Sequence, residues 1–405
     1  MGRRIAFMIN NDTVLVLGAG ASMDYGFPSG EQLIENIINY LEGKIQAEPV
    51  KKKIFIALIL YKYFQKSEIE KTLHDCYRIV EEFISTFKNA SPASIDDFLD
   101  KNTREEFKIV GKICVVIAIS RLENPTADFM TEWRDTKPDH RYSRELHGTR
   151  GHLELIRGWY NYLWKKIYEG DIKNNLSKLT FITFNYDRSL ERFLYTRLTN
   201  LFNLKDDDAI KLFTESVVIH HVYGQLGFFK WQKDCIVIND YKILDFGLLE
   251  EKLSPFNSFS VNVPKQFTDN LNPLSSKLTK EENDYLDKIL SIAGEIKTYT
   301  EAVKQPHPKI SKRILNATRI FFLGFGYHKQ NLKWLNPDGK EIRAKLAGTT
   351  YKFGKAQIEN IQKLFRETFL NNQKQVFGSK FYKYFKYENN EYKIQDYFAN
   401  VLDLE

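Results

Sequence analysis

Gly18-Ala19-Gly20-Ala21-Ser22, followed by Gly26-Phe27-Pro28-Ser29-Gly30, are the first residues of this chain whose types and spacing could do chemistry. They come directly after the apolar run Thr13 to Leu17. Glycines placed just past a strand let the backbone approach a pyrophosphate and leave amide N–H groups to bind it. Alone, a G-x-G turn is equally well a tight strand-to-helix turn. A second strand end, Thr183-Phe184-Asn185-Tyr186-Asp187, adds an amide and a carboxylate at the edge where open α/β sheets bind ligands. A third contributes His220, His221, Tyr223 and Gly224, and a fourth Gly324, Gly326 and His328. Consecutive strand ends carrying glycines and polar groups in this way are hard to explain by packing alone.

The elements that must position these residues are short, β-branched apolar runs: Thr13 to Leu17, Leu179 to Phe184, Ser216 to Val222, Arg319 to Leu323 and Ala344 to Ala347. Most are followed by a polar or glycine turn and a helical pattern, the order expected of a parallel sheet with helices on its faces. The reading is an α/β fold, a Rossmann-like open parallel sheet with a large helical insertion. As one composite unit, it divides into a nucleotide-binding core at 1–43, 172–245 and 305–375, a helical insertion at 44–171, a loop and helix at 246–304, and a C-terminal segment at 376–405. Helical periodicity fills Lys51 to Gln65, Glu68 to Lys88 and Arg104 to Arg121; Phe228 to Gly247 alternates as a hairpin does, and Ser254 to Lys277 reads as a loop. Capping-box spacings mark helix starts at Ser29 with Gln32 and at Thr279 with Glu282.

Composition removes several classes. The 405 residues carry 59 Lys plus Arg against 52 Asp plus Glu, a net charge of +7, with 43% apolar and 27% charged residues, which fits a globular chain. Cys76, Cys114 and Cys235 are too few and scattered for a disulfide framework or a four-thiolate zinc site, so a reducing cytoplasm is expected. No His and carboxylate pair has metal-site spacing, and no metal is expected. Ile113 to Ile119 falls short of the roughly 18 apolar residues of a membrane span, so no membrane is expected. The basic excess lies along helical stretches instead of one block, so nucleic acid is not expected as the primary ligand.

The ordered set of motifs resembles the sirtuin-like NAD-consuming proteins, and more closely their divergent prokaryotic branch of anti-phage defence. Gly18, Ala19, Gly20 and Ser22, then Gly26 and Pro28, match the family's G-A-G-x-S loop and following G-I-P; Asn185 and Asp187 match its Q-N-x-D, with Phe184 in place of the Gln. Tyr223-Gly224 aligns with the family's H-G, which puts a tyrosine at the catalytic histidine's position, with His221 two residues upstream on the same face of an extended strand. Gly324 and Gly326 resemble the later glycine turn near the adenosine half, and Gly348-Thr349-Thr350 is a short match to a segment that holds the adenine ribose.

The resemblance, carried by about half the chain, implies a sirtuin-like fold around NAD as substrate. Asn185 would contact the nicotinamide ribose and water, Asp187 the carboxamide, and His221 would be the base, with Tyr223 a stacking or proton-relay neighbour and His220 the alternative. The family's zinc ribbon has no C-x-x-C counterpart, and Ser29-Gly30-Glu31 replaces its Asp-Phe-Arg. Both departures point from peptide deacylation to cleavage of the nicotinamide bond with water: an NAD hydrolase that depletes NAD in abortive infection. The alternative is a non-catalytic NAD or ADP-ribose sensor regulating a partner. A homo-oligomer gated by a HerA-family hexameric ATPase is also implied; separately, the aromatic run Phe381 to Tyr387 fits an interface or core packing equally well. Leu146-His147-Gly148 copies the H-G motif but precedes Asn185 and reads as a loop, His74 and His152 as helix-surface residues, and Ser94 to Leu99 as a helix N-cap and first turn.

Overall fold

A computed structural model describes residues 9, 11–43, 48–122, 158–227, 249–254, 271–303, 308–350 and 353–369. The chain divides into two units: Met1–Phe27, Thr126–Val222 and Ala302–Glu405 form one, Pro28–Pro125 and Tyr223–Glu301 the other.

The first unit is built on five parallel strands, β1 (Thr13–Leu17), β2 (Leu179–Thr183), β3 (Ile219–His221), β4 (Arg319–Leu323) and β5 (Lys345–Gly348), in the order β3-β2-β1-β4-β5. This is the Rossmann-like α/β sheet expected from the sequence. Helices cover both faces of such a sheet, which is why β1 and β2 are buried at every residue and read as unbroken apolar runs. Central β1 pairs with β2 through Leu17↔Thr183 and with β4 through Leu17↔Leu323, so three strand ends finish level with one another. Strand order reverses at β1, and the crevice beyond the carboxyl ends of β1 and β4 is where such sheets take ligands. Under the sheet, Phe322 packs its ring 4.9 Å from Phe365, with Phe369, Phe325 and Tyr327 around it.

β3 is shorter than its apolar run because Ser216 still belongs to the helix Asp206–Ser216 and the chain turns immediately after His221. At the opposite end of the sheet, Lys178, Lys309, Lys312 and Arg313 line a cavity of about 370 Å³ with Asp12 and Thr180. Arg313 is held there by donating to Thr180 Oγ1 at 3.1 Å. Three of these basic residues lie on the single helix Pro308–Asn316.

The second unit is helical. Its helices include Gly30–Glu42, Glu48–Lys66, Leu73–Ala90, Ile95–Lys101, Glu105–Ser120 and Lys280–Glu295. Phe83, Phe87, Phe98 and Phe107 form one aromatic cluster. Glu105–Ser120 is buried almost all round, which accounts for the apolar run Ile113 to Ile119 as core; no helix among the described residues is long and apolar enough to cross a membrane. Its one deep charge, Lys112, meets Glu301 at 2.8 Å. The capping boxes at Ser29 with Gln32 and Thr279 with Glu282 form as the spacings predict, and Ser94 caps Ile95–Lys101.

Helix Gly30–Glu42, assigned from sequence to the nucleotide-binding core, lies in the helical unit, and so does the chain from Tyr223. Conversely, helix Trp159–Tyr168, assigned to the helical insertion, belongs to the sheet unit. The stretch Ser254 to Lys277, expected as a loop, contains the helix Asn272–Ser276 in its described part, where Pro273 sits in the first turn that tolerates it. The hairpin at Phe228 to Gly247, Cys235, His147, His152 and the segment 376–405 with Phe381 to Tyr387 lie outside the described residues.

Candidate functional site

Asn185 stands two residues beyond the β2 end and is 8% exposed. Its backbone N–H donates to Thr183 Oγ1 at 3.1 Å, which turns the chain back toward β1. Its side-chain amide then donates to the Gly18 carbonyl at 2.9 Å and to Ser22 Oγ at 3.0 Å. Parallel pairing in register places Thr183 beside Leu17, so an amide two residues past β2 meets a carbonyl one residue past β1. His221 ends β3, paired to Thr183, and donates from Nδ1 to the Asn185 carbonyl at 2.9 Å. Gly18, Ser22, Asn185 and His221 are thus one connected cluster at the carboxyl ends of adjacent strands.

The other ring nitrogen of His221 hydrogen-bonds to Glu191 Oε1. Both side chains are nearly inaccessible, at 5% and 4% exposure. Burial works against the imidazolium, but the Glu191 charge, the Glu191 hydrogen bond and the Asn185 carbonyl outweigh it and hold the His221 pKa above its ordinary value. Asp187 is buried, at 7% exposure, and holds the start of the next helix. Its Oδ1 accepts from the Ser189 N–H at 3.1 Å and from the Ser189 hydroxyl, capping the first turn of the helix Ser189–Phe202. With the Ser189 proton given to Asp187, Tyr160 must donate its hydroxyl to Ser189 Oγ, 2.8 Å away. Burial, then the nearby Asp187 charge, pushes the Tyr160 pKa well up and keeps that hydroxyl a donor.

Helix Trp159–Tyr168 holds the glycine loop from its other side. Trp159 Nε1 donates to the Ala21 carbonyl at 2.8 Å, the Tyr160 N–H donates to the Tyr25 hydroxyl at 2.8 Å, and the rings of Tyr25 and Tyr160 stack at 3.9 Å. The loop is pinned equally at the switch point: Gly18 and Gly20 donate to the Leu323 and Gly324 carbonyls, both at 3.0 Å. Ala21 and Ser22 donate to Gly18 and Ala19. Of the amides from Gly18 to Ser22, only that of Ala19 is left for a ligand, against the expectation of a loop with free N–H groups. Gly324 has φ +55°, and a Cβ there would run into the backbone of Gly20 and Ala21.

The remaining sequence candidates are placed elsewhere. His220 points to the other side of β3 and stacks on Trp334, ring centroids 5.5 Å apart, beside Phe184 and Phe325. Because β3 ends at His221, side-chain alternation stops there and Tyr223 does not pair with it as a set. Tyr223 is buried in the helical unit, where burial and then the charge of Asp96 raise its pKa far above the phenol range. Gly224, with φ +80°, has no room for a Cβ against the Glu295 carbonyl. Pro28 precedes the N-cap Ser29 of helix Gly30–Glu42 in the same unit. At β4, the Gly324 N–H donates to Thr349 Oγ1 at 2.8 Å, so the threonine expected near an adenine ribose closes a strand-end turn. His328 folds over Gly326 at the N-cap position of Lys329–Leu335, without a side-chain capping bond. His74 lies in helix Leu73–Ala90.

Glu191, Ser189, Tyr160 and Tyr25 are the residues that sequence reasoning passed over. For Glu191 the available signal was its place, in the first turn of the helix that leaves a furnished strand end. Cys76 and Cys114 are buried free thiols whose pKa values are raised by burial, that of Cys76 to about 12. Among the described residues no group of His, Cys, Asp or Glu has the arrangement of a metal site. No family model matches the chain, and no curated protein does.

Proposed function

We propose that the chain is an NAD glycohydrolase of sirtuin-like type, cleaving the bond between nicotinamide and ribose. The observation that carries this reading is the single hydrogen-bonded cluster of Gly18, Ser22, Asn185 and His221, residues singled out on separate stretches of sequence. The donor set suits a dinucleotide. The Ala19 N–H is available for a phosphoryl oxygen, and Asn185 can exchange its bonds to Gly18 and Ser22 for the ribose hydroxyls. In the step itself the C1′–N bond breaks with its electron pair going to the pyridinium nitrogen, which leaves as neutral nicotinamide. Water oxygen then bonds to C1′ and gives up one proton, yielding ADP-ribose. The oxocarbenium-like transition state asks for water positioning and charge stabilisation more than for a strong acid. Asn185 supplies the positioning, and Asp187, whose Oδ1 also holds Ser189 at the start of its helix, is the carboxylate for the carboxamide.

Chromatography of NAD incubated with the pure protein, alone and with an activating partner, tests this: release of nicotinamide is expected, and its absence under every condition overturns the reading. A non-catalytic NAD or ADP-ribose sensor is the second reading, carried by Tyr223 standing where the family has its catalytic histidine, and calorimetric binding without nicotinamide release would select it. The same resemblance carries the proposal of a cytoplasmic abortive-infection effector, assembled as a homo-oligomer with a HerA-family ATPase. Light scattering and a pull-down test the two assemblies.

A further inference from the structure

Neither nitrogen of His221 has a free lone pair in the observed arrangement. A carbonyl oxygen only accepts, so the Nδ1 facing the Asn185 carbonyl carries a proton, and a second proton is shared between Nε2 and Glu191 Oε1. Whether that second proton sits on the ring or on the carboxyl, the pair is neutral overall and cannot take a further proton from water. His221 becomes a base only after the pair loses one proton. The remaining proton then stays on Nε2, because both partners only accept and the charged Glu191 carboxylate attracts it more strongly than the uncharged Asn185 carbonyl, and Nδ1 is set free as its bond to that carbonyl is given up. Nδ1 is also the one beside Asn185, the residue that would hold the ribose and water.

We propose that Glu191 is a positioning residue that fixes the tautomer of His221, keeping the proton on Nε2 and making Nδ1 the working base. The assignment rests on the reading of this site as an NAD-cleaving one. Electrostatics agree: Asp187 in the β2 turn adds a second negative charge that favours the protonated ring, while Tyr160 facing the pair from helix Trp159–Tyr168 stays neutral. Arg188 is the buried cation of the same turn. Turnover should therefore fall at low pH, with its limb set by loss of the first proton from the pair. Glu191→Gln reverses the preference, since its amide can donate to Nε2 and trap the proton on Nδ1. A wrongly fixed tautomer of a catalytic histidine costs about 10²–10⁴-fold in turnover with little effect on KM.

The experiment combines a ¹⁵N-histidine NMR titration, in which His221→Asn identifies the His221 signals, with NAD turnover as a function of pH. For the wild type, an Nε2-protonated ring is expected above a transition lying higher than that of an ordinary histidine. Glu191→Gln should move the proton to Nδ1 and lower that transition, and Glu191→Asp should restore the wild-type signature in part. A wild-type ring that is Nδ1-protonated and titrates ordinarily would overturn the assignment, as would a folded Glu191→Gln protein with an unchanged tautomer and pH profile. If Glu191→Gln does not fold, the wild-type tautomer and Glu191→Asp decide. Were NAD not cleaved at all, the functional reading would fail while the NMR titration still judged the role of Glu191.

Discussion

Asn185 commits both hydrogens of its side-chain amide to atoms on another strand end, the Gly18 carbonyl and Ser22 Oγ. A strand-end residue facing an open cleft adds little to stability, but burial at 8% exposure with two cross-strand bonds makes Asn185 structural as well. Asn185→Ala should therefore cost about 1–3 kcal/mol of stability and also lose most NAD turnover. Denaturant melts and nicotinamide release on that variant separate the two effects; near-wild-type specific activity in a destabilised protein would remove Asn185 from the chemistry. His221 carries a pH signature of its own. Its folded pKa lies above its unfolded value of about 6.5, so the stability it contributes is complete below that pH and is lost as pH rises through the folded value. The stability difference between wild type and His221→Gln, from urea titrations at a series of pH values, should shrink from acid to alkaline pH.

Local signals in the sequence translated directly into elements where the interaction is itself local. Capping boxes at Ser29 and Thr279 close within three residues and form as read, and buried parallel strands show as the apolar runs Thr13 to Leu17 and Arg319 to Leu323. What failed depended on the rest of the chain. β3 stops at His221, which detaches Tyr223 from it, and Glu191 is buried although glutamate in a first helical turn is ordinarily a solvated favourable charge. The junction between β1 and β4 is likewise a tertiary feature, since no local rule says that two glycine turns will touch. Gly324→Ala forces a left-handed φ on alanine and drives a Cβ into the loop backbone, so it should cost about 2–5 kcal/mol. Gly294→Ala, in helix Lys280–Glu295 with nothing within 4 Å of the added carbon, should instead gain up to about 1 kcal/mol. Melting temperatures of the pair check the contrast.

On the scale of the whole molecule, the fold class was legible and the partition was not. Alternation of apolar runs with helical patterns gives a parallel α/β sheet, but which helices join it is decided by tertiary packing, as helices Gly30–Glu42 and Trp159–Tyr168 show by exchanging sides. Charge is the same kind of property. A net +7 says nothing of place, whereas chain folding brings Lys178 together with Lys309, Lys312 and Arg313 at the amino ends of β1 and β2.

The central position of β1 also sets a timetable for biosynthesis. β1 is made first, yet its hydrogen-bonded neighbours begin at Leu179 and Arg319, and the Gly18 turn rests on Gly324. Roughly 300 residues of translation separate those two glycines, about 15–60 s at about 5–20 residues per second. Until β4 leaves the ribosome, Asn185 and His221 have a strand-end partner in β1 but the glycine turn between them lacks its backing. A nascent or prematurely terminated chain is therefore expected to lack the backed glycine turn, and with it the finished cluster at the strand ends.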